Sequence, residues 1–192
     1  VLSGGRLRMG VGVGRSAEEY AALGQDFGTR GRRCEEQIRL LRMLWTQDAV
    51  EFAGRWDQIA GIGIRPLPVQ QPIPIWIGPG GGGGVIAETV LRRIGYFADG
   101  WFAIIPPGDV GAANIKIHAA AEEAGRDPSA IGIEGAVAIG GKSAGEWIDE
   151  IESWRESGAT HICMRTLGAG LDTSGHLTAM REIKAIMDRE LS

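Results

Sequence analysis

The chain is predicted to fold as an α/β protein in which helices cover a parallel β-sheet. Short apolar runs bounded by glycine or proline alternate with longer segments whose apolar residues recur every three or four positions. The alternation makes about five strand-then-helix units, and the strands are apolar on both faces, as in parallel sheets. The chain has 31 glycines in 192 residues, and many of them stand at the ends of predicted strands. Glycine clustered at these places indicates a ligand site.

The first unit is a strand from Leu7 to Val13 and a helix from about Thr29 to Trp45. One face of this helix is predicted to pack on the sheet and carries Cys34, Ile38, Leu41 and Trp45. The other face is predicted to be exposed and carries Arg32, Glu35, Glu36, Arg39 and Arg42. A short extended excursion is predicted around Val50 to Phe52, before the second unit begins.

The second unit is a buried strand from Pro72 to Ile77, followed by a helix that packs through Ile86, Val90, Ile94 and Phe97. The third unit is a strand from Gly100 to Ile104 and a helix from about Val110 to Ala124, which Asp109 is predicted to cap.

The fourth unit is a strand from Ile131 to Ile139 and a helix that begins with a capping box, Ser143 to Glu146. The last unit is a strand from Ala159 to Met164 and a helix from about His176 to Leu191. The inner stripe of the last helix is predicted to be Leu177, Met180, Ile183 and Met187.

Two architectures fit these units, an open doubly wound sheet and a (β/α)8 barrel. A complete barrel typically needs about 250 residues, so five units would be the later part of one. The chain begins with Val1 and a turn, so we expect a further segment upstream. No repeat, linker or charge run divides residues 1–192, which we interpret as one domain.

The composition limits the partners. Lys and Arg number 20 against 24 Asp and Glu, a net charge of -4, which argues against a nucleic acid or an anionic membrane as partner. No segment has the pattern of a membrane span or a signal peptide, so a cytoplasmic location is expected. Cys34 and Cys163 are predicted to be reduced thiols within apolar patterns, and no metal-ligand spacing is present.

The first candidate site is the strand end from Gly10 to Arg15. Without β-carbons, Gly12 and Gly14 let a flat ring or a phosphate approach the backbone. The segment also satisfies the G-x-G-x-x-A form of a dinucleotide fingerprint. However, the glutamates about 20 residues further on lie inside a periodic helix rather than at a second strand end, which disfavours a Rossmann fold.

The second candidate site runs from Gly78 to Gly84, directly between a strand and a helix. Successive glycines allow a nest of backbone N–H groups, and the following helix N-terminus adds positive potential, so an anion site is predicted. No Lys-Ser or Lys-Thr pair follows, which excludes a nucleoside-triphosphate P-loop. The alternative is a surface loop that merely tolerates glycine.

The other candidates carry weaker patterns. Arg165 and Thr166 follow the last strand, either at a substrate-facing rim or in a solvated loop. Trp101 and Phe102 could each be a wall of the site or a core residue. The three histidines are interpreted as structural residues: His118, His161 and His176.

Many stretches together carry a resemblance to a known family. In chain order they are residues 2–7, 10–14, 19–20, 23–24, 30–33, 40–45, 52–54, 66–70, 72–78, 91–95, 98–102, 124–128 and 158–161. The ordered series covers nearly the whole chain and resembles the luciferase-like monooxygenase superfamily, most closely the branch that uses the deazaflavin coenzyme F-420.

The resemblance implies a (β/α)8 TIM barrel of the bacterial luciferase-like type, with Leu7 to Val13 as its fourth strand. The chain would then carry strands 4 to 8, and its single domain would lack the first three. The fourth-strand end would border the cofactor ring through Gly12, Val13 and Gly14. The glycine loop would hold the cofactor phosphate through Gly78, Gly80, Gly81, Gly82 and Gly83.

The resemblance also implies an oxidoreductase that transfers a hydride between coenzyme F-420 and a small organic substrate, with the hydride chemistry supplied by the cofactor. The alternatives are an FMN-dependent monooxygenase of the same superfamily and a truncated, non-catalytic barrel that binds a flavin phosphate. An open set of five strands would expose two sheet edges and inward-facing Met9 and Val11, so we expect a homo-oligomer.

Overall fold

The computed structural model describes residues 1–80 and 85–190 as an α/β fold. Its strands are β1 (Met9–Val11), β2 (Val50–Ala53), β3 (Gln58–Ile62), β4 (Ile75–Ile77), β5 (Gly100–Phe102), β6 (Gly132–Ala138) and β7 (His161–Arg165). Its α-helices are α1 (Ala17–Ala22), α2 (Arg30–Thr46), α3 (Glu88–Phe97), α4 (Val110–Glu123), α5 (Ala144–Glu156) and α6 (Thr173–Glu190). None of these helices is long and apolar enough to cross a membrane, within the described residues.

The main sheet is parallel throughout and has the strand order β1-β4-β5-β6-β7. Each new strand is added beside the previous one, which confirms the predicted succession of strand-then-helix units. In the described part of the chain, β1 and β7 each pair with one neighbour, so the sheet is open at both edges. β2 and β3 form a separate antiparallel hairpin, which extends the excursion predicted around Val50.

Helix boundaries follow their sequence signals with two exceptions. The capping box that begins α5 is present, with the Ser143 N–H donating to the Glu146 carboxylate over 2.7 Å. Asp109 precedes α4 but makes no capping hydrogen bond, so that prediction is wrong. A 3-10 turn, Pro107–Asp109, runs directly into α4, and the residue before the helix is therefore already helical rather than extended.

The last helix also differs from its predicted packing. α6 begins at Thr173, and Leu177 and Met180 are more than half exposed, which contradicts their assignment to an inner stripe. Ile183 is buried and Met187 packs against the core, as predicted. The helix follows an edge strand, and it contacts the core through its C-terminal half.

The two faces of the main sheet differ in composition. The helix-covered face is apolar and buried, and it carries Ile75, Ile77, Trp101, Ile133 and Val137. The glycine-rich face bears the alternate residues of the same strands, and these are Gly10, Trp76, Gly100, Phe102, Gly132 and Glu134. The expectation that Met9 and Val11 point away from the helices is wrong, because both pack against the helix-side core.

Glu36 is a further correction. The sequence predicts it on the exposed face of α2, but it is 8% exposed. Its carboxylate accepts hydrogen bonds from the backbone N–H groups of Arg55 and Trp56, both over 2.8 Å, and of Asp57 over 3.1 Å. Burial alone raises the pKa of Glu36, but these hydrogen bonds outweigh it and hold the pKa below its usual value. Glu36 therefore anchors the turn of the β2–β3 hairpin to α2.

Candidate functional site

The two glycine stretches predicted from the sequence meet at the carboxyl edge of the sheet. β1 and β4 are neighbours in register, with Val11 opposite Ile77. One residue further on, the Gly78 N–H donates to the Val11 carbonyl over 3.0 Å. Ligand sites of parallel α/β folds lie at this edge, because the loops that follow the strands converge there.

The backbone at the end of β1 is accessible. A β-carbon placed on Gly12 would meet no atom of the described part of the chain within 4 Å. Gly14 has φ +68°, a left-handed conformation that favours glycine, and it turns the chain away from the strand. Between them, the Val13 carbonyl accepts a hydrogen bond from the Tyr20 hydroxyl over 2.8 Å. This hydrogen bond ties the strand end to α1 and holds the open backbone of Gly12 in place.

The structure describes the glycine loop only at its beginning, from Gly78 to Gly80. Gly78 lies beside the end of β1, and Gly80 has φ +63°, where an added β-carbon would meet no atom of residues 1–80 and 85–190 within 4 Å. Gly81, Gly82 and Gly83, which the resemblance assigns to the cofactor phosphate, lie outside the described residues. The structure thus brings Gly12, Val13, Gly14 and Gly78 together, with Gly80 following in the loop.

Phe102 belongs to the same region, a role that the sequence left undecided. Trp101 is fully buried on the helix-covered face, so it is a core residue. Its neighbour Phe102 projects to the glycine-rich face, where β-carbons on Gly10 and Gly78 would come within 3.4 and 3.8 Å of its ring. Strand alternation predicts opposite faces for the two aromatics, but the register with β4 decides which one borders the glycines.

A cavity of about 590 Å³ opens beside the end of β1, between α1 and α2. Its polar lining includes two cations, Arg30 and Arg33. Arg30 stacks on Phe27, with its guanidinium carbon 3.7 Å from the ring centroid, and donates to the Phe27 carbonyl over 2.8 Å. Its buried Nε has no hydrogen-bond partner among the described residues.

Cys34 lies where this cavity meets a smaller one beneath Gly78. The thiol is half-buried, and burial raises its pKa although Arg93 opposes the shift. A raised pKa keeps the sulfur protonated near neutral pH, and the thiolate is the nucleophilic form. Cys34 therefore lines the two cavities as a thiol rather than as a thiolate.

The histidines lie apart from these glycines. The His161 ring packs edge-on against Trp76 at 4.9 Å between centroids, at the start of β7. The His176 ring lies 2.8 Å from the Thr166 hydroxyl, just beyond the end of β7. His118 is half-buried on α4. In residues 1–80 and 85–190 no three His, Cys, Asp or Glu side chains are grouped closely enough to hold a metal ion.

Family membership agrees with this geometry. The model of the family described as luciferase-like monooxygenase matches residues 1–185. The chain belongs to the luciferase-like monooxygenase family. The match spans all five strands of the main sheet and the two glycine stretches, so the resemblance predicted from the sequence is confirmed.

Curated proteins similar to the chain include enzymes named for coenzyme F420. The chain is 36% identical over 134 residues, 66% of its length, to an F420-dependent glucose-6-phosphate dehydrogenase of Gordonia bronchialis. It is 39% identical over 104 residues, 53% of its length, to the enzyme of the same name from Amycolatopsis mediterranei. These alignments span 38% and 29% of the two enzymes, so the chain corresponds to well under half of each.

Solved structures share the fold at lower identity. One is an F420-dependent secondary alcohol dehydrogenase in complex with an F420-acetone adduct, with a TM-score of 0.67 and 20% identity. That superposition covers 83% of this chain and 64% of the other. Another is the coenzyme F420-dependent tetrahydromethanopterin reductase of Methanopyrus kandleri, with a TM-score of 0.68, 15% identity and coverage of 98% and 74%.

Proposed function

We propose that the chain is the cofactor-binding later part of an oxidoreductase that uses coenzyme F-420. The observation that carries the proposal is the junction of β1 and β4, where Gly78 is hydrogen-bonded to Val11 and the Gly12 backbone is unobstructed. A strand end without side chains, next to a glycine loop, suits a flat ring joined to a phosphate. The curated relatives named for this cofactor support the same assignment.

Different residues at the junction would contact different parts of the cofactor. Gly12, Val13 and Gly14 would border the ring, and Phe102 would form the wall beside them. The phosphate would be held by backbone N–H groups of the glycine loop, from Gly78 and Gly80 to Gly81, Gly82 and Gly83. The N-terminus of α3 follows this loop and has no side-chain cap, so its N–H groups would add positive potential.

The chemistry of such an enzyme is hydride transfer, which the bound deazaflavin supplies to or takes from a small organic substrate. The protein's own contribution is to bind and orient the ring and to keep water from it. The half-buried Phe102 ring, next to Gly10 and Gly78 on the glycine-rich face, would supply an apolar wall beside the open strand end. A water-poor wall of this kind favours transfer of a hydride over loss of the reducing equivalent to solvent.

The partial barrel is part of the same proposal. The main sheet would be strands 4 to 8 of a (β/α)8 barrel, in one domain that lacks the first three strands. Two observations support a partial barrel. The main sheet has open edges at β1 and β7, and the chain aligns with only 38% and 29% of the two curated relatives. We also propose a cytoplasmic homo-oligomer, in which a second copy of the chain would cover the edges at β1 and β7. A compact monomer in sedimentation velocity would contradict this assembly.

A paired titration tests the proposed function. The purified chain is titrated with F-420 and with FMN while the fluorescence of each cofactor is followed, and inorganic phosphate is added as competitor. Saturable binding of F-420 that phosphate weakens is the expected result. Selective binding of FMN would instead favour a monooxygenase of the same family. Binding of neither cofactor would contradict a cofactor site formed by this chain.

A further inference from the structure

A groove of about 390 Å³ runs between α2 and α3, on the outer side of the helices. Its residues come from successive turns of both helices. Four arginines line it, and these are Arg32, Arg39, Arg92 and Arg93. Glu35 is the single carboxylate in the lining, and Tyr96 and Phe97 form the lower wall. The chain as a whole has a net charge of -4, whereas this groove carries four positively charged guanidinium groups.

The carboxylates near the groove neutralise half of these cations. Arg92 pairs with Glu123 over 2.9 Å, and Arg93 pairs with Glu35 over the same distance. Arg32 and Arg39 form no ion pair within 4 Å among the described residues. Both side chains are exposed, and Arg39 is held over the Phe97 ring, with its guanidinium carbon 4.9 Å from the centroid. Stacking on a ring fixes a guanidinium while leaving its N–H groups available.

Arg93 forms the floor of the groove and is 9% exposed. Its Nε donates to Glu35, but its two terminal nitrogens make no hydrogen bond within residues 1–80 and 85–190. The guanidinium lies against α2 at Gly31, where a β-carbon would come within 2.2 Å of Nη2. A buried cation with unused donors is costly unless a ligand or water satisfies them. Arg93 thus adds positive charge to the floor of the groove, and Arg32 and Arg39 offer N–H donors on its rim.

We propose that this groove is a binding site for a small polyanion that carries phosphate or carboxylate groups. The guanidinium fork matches the two oxygens of a carboxylate or a phosphate, and several forks around one space favour a ligand with more than one anionic group. Exposed Arg32 and Arg39 form no ion pair within 4 Å among the described residues, although Arg39 lies near enough to Glu36 to lower its pKa, and Arg93 adds positive charge beneath them. Arg93 also lines the small cavity beside Gly12 and Gly78, so it lies between the groove and the glycine junction, whereas Arg32 and Arg39 line the groove and neither cavity at the junction.

Calorimetric titration of the chain with inorganic pyrophosphate and with citrate tests the proposal. The Arg32→Gln/Arg39→Gln double variant is compared with the Arg155→Gln/Arg181→Gln double variant. Each pair removes two exposed arginines from helices, so the net charge changes equally. We expect pyrophosphate or citrate to bind the wild-type chain. The groove variant should weaken this binding about tenfold or more, and the control variant should change it less than about twofold.

Each other outcome overturns the proposal. No saturable binding of either anion at millimolar concentration means that the groove is not an anion site. Equal weakening in both double variants means that only long-range charge acts, and equal affinity in the groove variant and the wild type means that the anion binds elsewhere. The tighter of the two probes distinguishes a phosphate ligand from a carboxylate ligand. F-420 affinity in the groove variant separates this site from the proposed function, since the cofactor junction is left unchanged.

Discussion

The helix-covered face and the glycine-rich face of the main sheet come from the same strands but differ in every physical respect. On the first, Ile75, Trp101 and Val137 are fully buried against the helices. On the second, glycines alternate with aromatic and charged side chains, and Arg8 lies over Trp76 while pairing with Glu134 over 2.6 Å. The first face supplies most of the burial that stabilises the fold. On the second face the buried Trp76 ring covers Gly100 and Gly132, and the backbone is open to a ligand at Gly12, beyond the end of β1.

The difference follows from strand alternation. Because successive side chains point to opposite faces, a strand such as β5 places Trp101 in the core and Phe102 beside the glycines. The same strand can therefore supply a core residue on one face and a site residue on the other. Substitutions at adjacent positions should therefore have different consequences, and the following predictions use matched pairs.

The largest expected loss of stability comes from a substitution in β5. Trp101→Ala removes a fully buried side chain from the helix-covered face and should lower the free energy of unfolding by about 3–5 kcal/mol. Phe102→Ala, one residue away on the half-buried side, should lower it by less than about 2 kcal/mol. Urea denaturation of both variants measures the difference. Equal losses would show that the two faces contribute equally to stability.

The next largest loss of stability is expected from a substitution in α3, one of the helices on the helix-covered face. A β-carbon on Gly95 would lie 2.4 Å from the Ile117 carbonyl oxygen, because α3 and α4 approach closely there. Gly95→Ala should therefore cost about 1–3 kcal/mol by overpacking. Gly111→Ala, in α4 with open space around it, should be neutral or stabilising by up to about 1 kcal/mol. Chemical denaturation compares the two, and a stable Gly95→Ala variant would contradict the close approach.

The third effect depends on pH. The backbone hydrogen bonds that lower the pKa of Glu36 stabilise the fold only when the carboxylate is charged. Their contribution is complete above the usual glutamate pKa of about 4.3 and is lost as the pH falls through the lower pKa of the folded state. Glu36→Gln should lower Tm at pH 7 by several degrees, and the gap to the wild type should close towards pH 3.

Exposed Glu122→Gln is the control for this pH dependence. Glu122 lies on α4 and makes no side-chain hydrogen bond or ion pair among the described residues, so its substitution should leave Tm unchanged at either pH. A Glu36→Gln gap that stays constant from pH 7 to pH 3 would show that the lost contacts do not depend on ionisation. Tm measured by circular dichroism across this range decides between the two.

The smallest effect is on the glycine-rich face. Arg8 and Glu134 form an ion pair there, with side chains 39% and 12% exposed. Because partly exposed pairs are screened by solvent, Glu134→Gln should cost only about 1 kcal/mol, far less than the loss of a core side chain on the other face. Equilibrium denaturation at low and high salt measures this loss in the free energy of unfolding. A loss as large as that of Trp101→Ala would contradict the claim that the two faces contribute differently to stability.

Much of the fold could be predicted from local patterns. The strand-helix alternation, the α2 boundaries and the α5 capping box all rest on short-range signals, and each is present. The apolar periodicity failed where tertiary context decides. Leu177 and Met180 satisfy the helical spacing but lie where α6 has no core beside it, and periodicity carries no information about which neighbours exist.

The candidate site could be predicted only in part. Glycine at two strand ends indicated where a ligand would approach, and the β1–β4 pairing brings those ends together. The buried position of Glu36 could not be predicted, because it depends on a hairpin turn that arrives 20 residues later in the chain. The role of Phe102 needed the strand register, since alternation alone leaves the choice of face open.

The most direct test of the account is the F-420 affinity of Gly12→Val beside that of Gly145→Val. Both glycines have open space around them, so neither substitution should change Tm by more than a few degrees. If the ring lies against the end of β1, Gly12→Val should raise the Kd for F-420 about tenfold or more, and Gly145→Val should leave it unchanged. Equal F-420 affinity in the two variants would contradict a cofactor site at the junction of β1 and β4.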